Sequence, residues 1–288
     1  MTRIIFVLFL YLLTACNASV QSAVTSIKPT ETLLPMITKT MTPVFTRGVT
    51  PTEYIRETLE TTETVENPFI PMISSPIEGK TISDLVDMIS NPFLPPGEGS
   101  DDPHQGVDFS DVDNLTKIAL TGKGVQVMIG GQVIAVMSNR FPYGNAILIV
   151  STDDNLPEYW INKIFSSTKP FPWDINTALT CPEGWNLPPE KQDKLGLYTL
   201  YAHMLNAPIY EIGDLVKPGE NIGAIGMSGN ALAPHLHVET RYGYIPDLIG
   251  SMAHYDVSAS LEEMSNYCRW RVSGWFRLID PMEILSTN

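Results

Sequence analysis

The sequence predicts a mainly β protein, an antiparallel sheet or sandwich with few short helices that follows a disordered N-terminal linker. Three observations support this prediction. Apolar residues alternate with other residues in several short segments, glycine and proline separate these segments, and little of the chain has helical spacing. With 288 residues, the chain is long enough to bury a core.

The first 15 residues predict a lipoprotein signal peptide. They carry one charged side chain, Arg3, and then an apolar run over residues 4–13 that is too short for an ordinary membrane-spanning helix. The run ends at Leu13-Thr14-Ala15-Cys16, which resembles the bacterial lipobox, where the cysteine is lipidated. Cys16 is then the predicted anchor to a bacterial membrane. The alternative is a cleaved secretory signal followed by an incidental cysteine.

Residues 16–66 predict a disordered linker, and residues 67–288 predict the folded domain. The linker is rich in threonine, has scattered proline and serine, and lacks sustained apolar periodicity. Such a segment buries too little surface to offset the entropy of ordering it. We therefore expect an extracytoplasmic domain that the linker holds away from a lipid anchor.

Periodicity predicts the elements of the domain in order. Residues 82–89 have apolar residues at helical spacing and predict a short helix. Short apolar or alternating segments predict the strands. The predicted strands cover residues 125–129, 133–137, 146–150, 197–204, 221–225 and 236–240.

Two further segments complete the domain. Residues 152–196 predict an insertion, because their prolines interrupt any regular element. Trp160, Trp173 and Trp185 of this insertion either offer flat surfaces to a ligand or form a small core of the insertion itself, and the second alternative is favoured. Residues 261–285 predict a C-terminal cap.

The net charge argues against one class of partner, and the cysteine content predicts a disulfide. The formal net charge of −14 argues against nucleic acid as a partner, since a strongly acidic chain repels phosphates. Apart from Cys16, the chain has two cysteines, Cys181 and Cys268. An even pair in an exported protein predicts a disulfide, which would join the insertion to the cap.

Four of the five histidines fall in three short strings, and these strings predict a zinc site. The strings are His104-Gln-Gly-Val-Asp108, Tyr201-Ala-His203 and His235-Leu-His237. In a strand, residues two apart share a face, so His235 and His237 are expected to project together from a chemical face, opposite a packing face. The same alternation predicts that His203 shares a face with Tyr201 and points toward that pair.

The residue types fit catalytic zinc. Such a site takes three histidine or carboxylate ligands and keeps a fourth position open, so one aspartate and two histidines suffice. The other two histidines would then be free for proton transfer. A lone histidine is more often an ordinary core residue, and His254, outside the strings, is interpreted in that way.

The segments HQGVDFS, LYTLYAHM and GDLVKPGENIGAIGMSGNALAPHLHVET resemble the lysostaphin-like (LytM-type) zinc metallopeptidases. The resemblance covers about residues 92–243. It implies an antiparallel β domain with an open groove that cleaves peptide bonds in bacterial peptidoglycan. It also implies that His104, Asp108 and His237 hold one zinc ion, with His203 and His235 as catalytic histidines.

The predicted function is therefore a zinc-dependent endopeptidase that acts on peptidoglycan peptides from a lipid anchor. The alternative is a non-catalytic LytM-type module that binds the wall or a regulatory protein partner and activates another hydrolase. Loss of ligands marks that class, whereas all five expected residue types are present here. A metal-buffering protein would need further histidine or cysteine near the site in sequence, and the sequence has none there.

Overall fold

The computed structural model describes residues 73–166, 176–188, 192–245 and 249–286. These residues lie in one compact unit, Glu63–Asn288. The predicted signal peptide, Cys16 and the linker at 16–66 lie outside the described residues. Within the described ranges, no helix is both long enough and apolar enough to cross a membrane.

Strands dominate the described part of the chain, which confirms the predicted mainly β class. The strands are β1 (Ile89–Asn91), β2 (Val107–Phe109), β3 (Gly124–Gln126), β4 (Gly131–Arg140), β5 (Gly144–Ser151), β6 (Leu195–Ala202), β7 (Leu215–Val216), β8 (Asn221–Ala224), β9 (Leu236–Tyr244) and β10 (Arg277–Ile279). The helices are two 3₁₀ helices, Ser83–Met88 and Asp153–Asn155, and three α-helices, α1 (Glu158–Ser166), α2 (Leu261–Val272) and α3 (Pro281–Leu285).

The main sheet has the strand order β1-β2-β9-β6-β5-β4-β7, and β10 also pairs with β9. Each of these pairings is antiparallel. Strands β3 and β8 form a separate two-stranded sheet. Strand β9 is central to the site described below, because β2 pairs with its first residues and β6 pairs along its whole length.

Both faces of the main sheet are packed. Along β6, Leu197 and Tyr201 belong to one buried apolar cluster, whereas Tyr198 and Leu200 belong to another. This alternation follows from the period of two residues in a strand. At the His235-Leu236-His237 string the expected division is confirmed, because Leu236 and Val238 belong to the first cluster and His237 points to the opposite side beside Asp108. The second cluster packs other residues of that side.

Two predicted elements are shorter in the structure than expected. The predicted helix at 82–89 is a 3₁₀ helix, Ser83–Met88, which buries Leu85 and Met88. The predicted strand at 125–129 pairs only as β3, Gly124–Gln126. Beyond it, the backbone N–H of Val127 donates to Glu220 O and that of Met128 donates to the Tyr201 hydroxyl.

The insertion contains a regular helix, so the expectation that its prolines interrupt every element is wrong. Helix α1 begins at Glu158, directly after Pro157, whose carbonyl accepts hydrogen bonds from the N–H groups of Trp160 and Ile161. Proline is compatible with a helix start because its missing N–H has no partner there in any case.

The tryptophans of the insertion follow neither predicted alternative as a group. Trp160 is fully buried in the main apolar cluster, with residues such as Ile147 and Leu197 from the sheet. Trp185 is half-buried, and its carbonyl accepts a hydrogen bond from Arg269 on α2. Trp173 lies outside the described residues. Trp160 thus joins the insertion to the sheet core.

The C-terminal cap is built around α2. A capping box begins this helix, because the Ser260 side chain accepts from the Glu263 N–H and the Glu263 side chain accepts from the Ser260 N–H. Cys181 and Cys268 form a disulfide, with Cα atoms 6.1 Å apart, that connects the insertion to α2. The helix is therefore fixed both at its start and in its middle.

Candidate metal centre

Strands β2 and β9 bring the first two site residues together. Asp108 lies directly opposite His237 in the antiparallel register, so both side chains point to the same side of the sheet. Asp108 Oδ1 is 2.7 Å from His237 Nδ1. Both residues are buried, with 8% and 6% of their surface exposed.

His104 completes the group from the loop before β2. A backbone bridge to Leu94 holds this loop, through hydrogen bonds of 3.0 and 3.1 Å. His104 Nε2 lies 3.2 Å from Asp108 Oδ1 and 3.2 Å from His237 Nδ1. Gly106 permits this approach, because a Cβ atom there would lie 2.4 Å from Val238 O and 2.8 Å from the His237 ring.

The three side chains can hold a metal ion. One ligand atom from each of His104, Asp108 and His237 lies within 4.8 Å of the others. The opposite atom of each side chain is also fixed: His104 Nδ1 donates to Pro92 O at 2.8 Å, and Asn91 Nδ2 donates to Asp108 Oδ2 at 3.2 Å.

On the third ligand, His237 Nε2 donates to Glu239 Oε1 at 3.1 Å. Bonds of this kind fix the ring orientation and tautomer of metal ligands, so the donor chemistry fits a metal such as zinc.

Electrostatics shifts the pKa values of two members of this group, Asp108 and His237, in favour of their charged forms. Burial opposes ionisation of Asp108, but hydrogen bonds from His104 and His237 outweigh it and hold the pKa of Asp108 far below its usual value. Burial also disfavours a charged His237. Hydrogen bonds to Asp108 and Glu239 outweigh that effect and raise the pKa of His237 to about 9.

His203 and His235 lie beside the three ligands. The His203 ring centroid is 4.7 Å from that of His235 and 5.7 Å from that of His237. His235 Nε2 is 3.6 Å from Asp108 Oδ1. The five predicted site residues therefore converge on one place, the three candidate ligands together and the two other histidines next to them.

The prediction that strand alternation points His203 toward the site is wrong, although His203 does lie there. Tyr201 faces the opposite side of the sheet from His237, since the residue paired with His237 is Ala202. Strict alternation would therefore turn His203 away from the site. Strand β6 ends at Ala202, and His203 has a φ of 61°, in the left-handed region. This break in the strand redirects the imidazole toward His235.

Backbone carbonyls fix the orientation of both histidines. His203 Nδ1 lies 2.8 Å from Ser228 O, and His235 Nδ1 lies 2.8 Å from Ala233 O. A carbonyl can only accept, so each neutral ring carries its proton on Nδ1 and its lone pair on Nε2. Burial, and after it the charges of His237 and His235, lower the pKa of His203 to about 3, which keeps this ring neutral.

A cleft of about 930 Å³ opens over the five residues. Its other walls include Tyr143, Leu232, Tyr255 and Arg271. Leu232 is fully exposed and Tyr255 is 61% exposed, so both present apolar surface beside the candidate site. A cleft of this size accommodates an extended peptide segment.

Sequence reasoning missed three charged residues close to the metal centre. Glu239 follows His235 and His237 at the same spacing of two residues, so strand alternation could have found it. Asp101 and Arg271 form an ion pair of 2.5 Å, although 170 residues separate them in sequence. No local pattern marks that pair.

His254 is buried, as its interpretation as a core residue requires. Its Nε2 donates to Thr180 O at 2.7 Å, and its ring stacks on Tyr267. Among the described residues, its Nδ1 has no hydrogen-bond partner. His254 thus connects the insertion to the C-terminal cap and takes no part in the candidate metal centre.

The fold and the site define an antiparallel β-sheet protein with a candidate mononuclear metal centre and two adjacent histidines. Residues 190–246 match the model of peptidase family M23. This range contains His203, His235 and His237, whereas His104 and Asp108 precede it. The predicted resemblance to the lysostaphin-like M23 peptidases is therefore confirmed over this segment of the chain.

Several solved structures resemble this chain. The catalytic domain of the antimicrobial peptidase lysostaphin from Staphylococcus simulans is 18% identical, with a TM-score of 0.36, over 72% of this chain and 98% of that one. A mutant catalytic domain of the prophage-encoded M23 protein EnpA from Enterococcus faecalis is 20% identical, with a TM-score of 0.32, over 62% and 95%. A zinc-containing peptidase from Vibrio cholerae is 20% identical, with a TM-score of 0.31, over 60% of this chain and only 36% of that protein.

Proposed function

We propose that this protein is a zinc-dependent endopeptidase that hydrolyses peptide bonds in peptidoglycan. The observation that carries the proposal is the convergence of His104 Nε2, Asp108 Oδ1 and His237 Nδ1, with two further histidines beside them. The family match supports it, since M23 peptidases are zinc-dependent.

When bound, zinc supplies Lewis-acid polarisation of the scissile carbonyl and lowers the pKa of the attacking water. The residues of this chain supply the remaining chemistry. His203 and His235 each present the lone pair of Nε2, because Nδ1 of each ring donates to a backbone carbonyl. Either ring can therefore accept a proton at Nε2 and later return it to the leaving amine.

The cleft would position the peptide substrate. Leu232 and Tyr255 give exposed apolar surface on its walls, and both lie near the candidate site. An extended peptide bound there would place one carbonyl above the three ligands. Holding the reacting groups in this way removes much of the entropic part of the barrier.

The decisive experiment measures the release of new amino termini from purified peptidoglycan. We expect release by the wild type, loss of release with a chelator, and recovery when zinc is restored. His203→Ala should bind zinc yet release about 10²- to 10⁴-fold less, the usual contribution of a general acid or base. Equal release in all samples, or none from zinc-loaded wild type, would favour the non-catalytic wall-binding or hydrolase-activating alternative.

We further propose that lipidated Cys16 anchors the domain on the extracytoplasmic side of a bacterial membrane. The support is the apolar run that stops just before this cysteine. In cells, wild-type protein should fractionate with membranes, whereas Cys16→Ser should not. A wild type found in the soluble fraction would favour the cleaved secretory signal instead.

A further inference from the structure

Glu239, whose carboxylate accepts a hydrogen bond from His237, is itself bound by residues of a helix outside the sheet. Glu239 is fully buried on β9, two residues beyond His237, and its Oε1 accepts from His237 Nε2 at 3.1 Å. A buried carboxylate without partners would be strongly destabilising, so its other hydrogen bonds decide whether it stays charged and in place.

Helix α2 supplies two of those hydrogen bonds. Arg271 Nη1 donates to Glu239 Oε1 at 2.6 Å, and Trp270 Nε1 donates to Glu239 Oε2 at 2.7 Å. From β9 itself, Arg241 Nη2 donates to Oε2 at 2.9 Å.

Arg271 also reaches the chain segment that carries the first ligand. Its Nε donates to Asp101 Oδ1 at 2.5 Å and its Nη2 donates to Asp101 O at 2.7 Å. Asp101 lies three residues before His104. The hydroxyls of Tyr255 and Tyr267 donate to Asp101 Oδ2, each at 2.9 Å. The loop before His104 is therefore held through both the side chain and the backbone carbonyl of Asp101.

One guanidinium thus spans two segments that meet at the metal centre. The planar fork of arginine can donate in two directions at once, whereas the single ammonium of lysine cannot reproduce that geometry. The side chain of Arg271 is only 11% exposed, and α2 is fixed by the Cys181–Cys268 disulfide. The donor therefore comes from a rigid element outside the sheet.

We propose that Arg271 of the C-terminal cap is a positioning residue of the metal centre, acting on His237 through Glu239 and on His104 through Asp101. The inference rests on the proposed function, because it takes His104, Asp108 and His237 as zinc ligands. It assigns to the cap a role in metal affinity in addition to covering the sheet.

The test measures the zinc dissociation constant of the full chain by competition with a chromophoric chelator. Arg271→Gln should weaken zinc binding about 10- to 100-fold, the usual cost of losing an outer-shell partner. Arg271→Lys should recover only part of the loss. Arg269→Gln is the matched control, because Arg269 is on the same helix but donates to Trp185 O, and it should stay within about twofold of wild type.

Thermal melting of the zinc-free variants separates positioning from simple stability. If Arg271→Gln does not fold, Asp101→Asn is the alternative test. This substitution removes the charge that Arg271 contacts near His104 and leaves the contact with Glu239 unchanged, so zinc binding should weaken about fivefold. Folded Arg271→Gln or Asp101→Asn with wild-type zinc affinity would overturn the inference and leave the proposed function intact. A wild type that binds no zinc would overturn both.

Discussion

Two of the three candidate ligands, Asp108 and His237, are anchored by a different kind of partner from the two other histidines. The third ligand, His104, has a backbone anchor, since its Nδ1 donates to Pro92 O. Asp108 and His237 are held by side chains, those of Asn91 and Glu239. His203 and His235 are held through Nδ1 by backbone carbonyls. A carboxylate partner raises the basicity of a metal ligand, whereas a backbone carbonyl fixes which ring nitrogen carries the proton. The difference teaches that the partner behind the ring distinguishes His237 from His203 and His235, whereas His104 is identified as a ligand by its contacts with Asp108 and His237.

The two groups also differ in their place on the sheet. Asp108 and His237 lie within paired strands, β2 and β9. His203 directly follows the last residue of β6, and His235 directly precedes the first residue of β9. Paired strands give the ligands a fixed separation, and the strand ends allow the other two rings to turn toward the cleft.

The largest effect is expected from removing the shared carboxylate. Asp108→Ala takes away the oxygen that lies 2.7 Å from His237 Nδ1 and 3.2 Å from His104 Nε2. We expect zinc affinity to fall by more than the roughly 10- to 100-fold that an outer-shell loss costs, with loss of activity. Chelator competition measures the affinity. Asp102→Ala, which alters an exposed carboxylate before the same histidine, is the control, and an equal loss in that variant would contradict the assignment.

The next largest effect is expected to distinguish His203 and His235 from the three candidate ligands. His203→Ala and His235→Ala should keep zinc affinity close to wild type and lower turnover by about 10²- to 10⁴-fold. The reason is that both rings contact the site from strand ends and neither belongs to the group that can hold a metal. Zinc titration and turnover of the same samples provide the measurement. If either variant lost zinc as Asp108→Ala does, that histidine would belong among the ligands.

Sequence periodicity predicted the parts of this site that depend on local structure. A spacing of two residues brings His235 and His237 to one side of a strand. This feature lies within three consecutive residues, so the sequence contains it. The mainly β class follows from the same alternation.

The features that could not be predicted depend on distant contacts or on single backbone angles. Arg271 meets Asp101 across 170 residues, and only the docking of α2 brings them together. His203 departs from strand alternation through one positive φ, which no periodicity signals. Trp160 packs in the sheet core from α1, a helix that begins directly after Pro157, although the prolines of this segment predicted that no regular element would form.

A smaller effect is expected at the outer partner of Asp108. Asn91→Ala removes a hydrogen bond of 3.2 Å to Asp108 Oδ2 from an exposed residue, so zinc affinity should fall by about tenfold, the low end for such partners. Turnover at saturating zinc should not change. Ser90→Ala is the control, since Ser90 Oγ donates to the backbone carbonyl of Asp108 and accepts from Ser110 Oγ, so neither bond involves the Asp108 carboxylate. Equal zinc affinity in Asn91→Ala and wild type would remove Asn91 from the site.

The smallest effect is expected from substituting Ser228, the residue that anchors His203. The anchor is the backbone carbonyl of Ser228, which no side-chain substitution removes. Ser228 supplies that carbonyl, and its own hydroxyl accepts from the Asn145 N–H and donates to Met204 O, both at 2.8 Å. Ser228→Ala should therefore lower the free energy of unfolding by about 1 to 2 kcal/mol while the carbonyl still holds the ring.

For Ser228→Ala, turnover should fall by no more than about fivefold, and zinc affinity should stay unchanged. Denaturant unfolding and turnover measured together test this expectation. Ser260→Ala, which removes the cap of α2, should cost a similar free energy of unfolding, about 1 kcal/mol, with no loss of turnover. If Ser228→Ala lost as much turnover as His203→Ala, the Ser228 hydroxyl itself would take part in proton transfer. The contrast between His237, which is held by a side chain, and His203, which is held by the backbone, would then no longer separate metal binding from proton transfer.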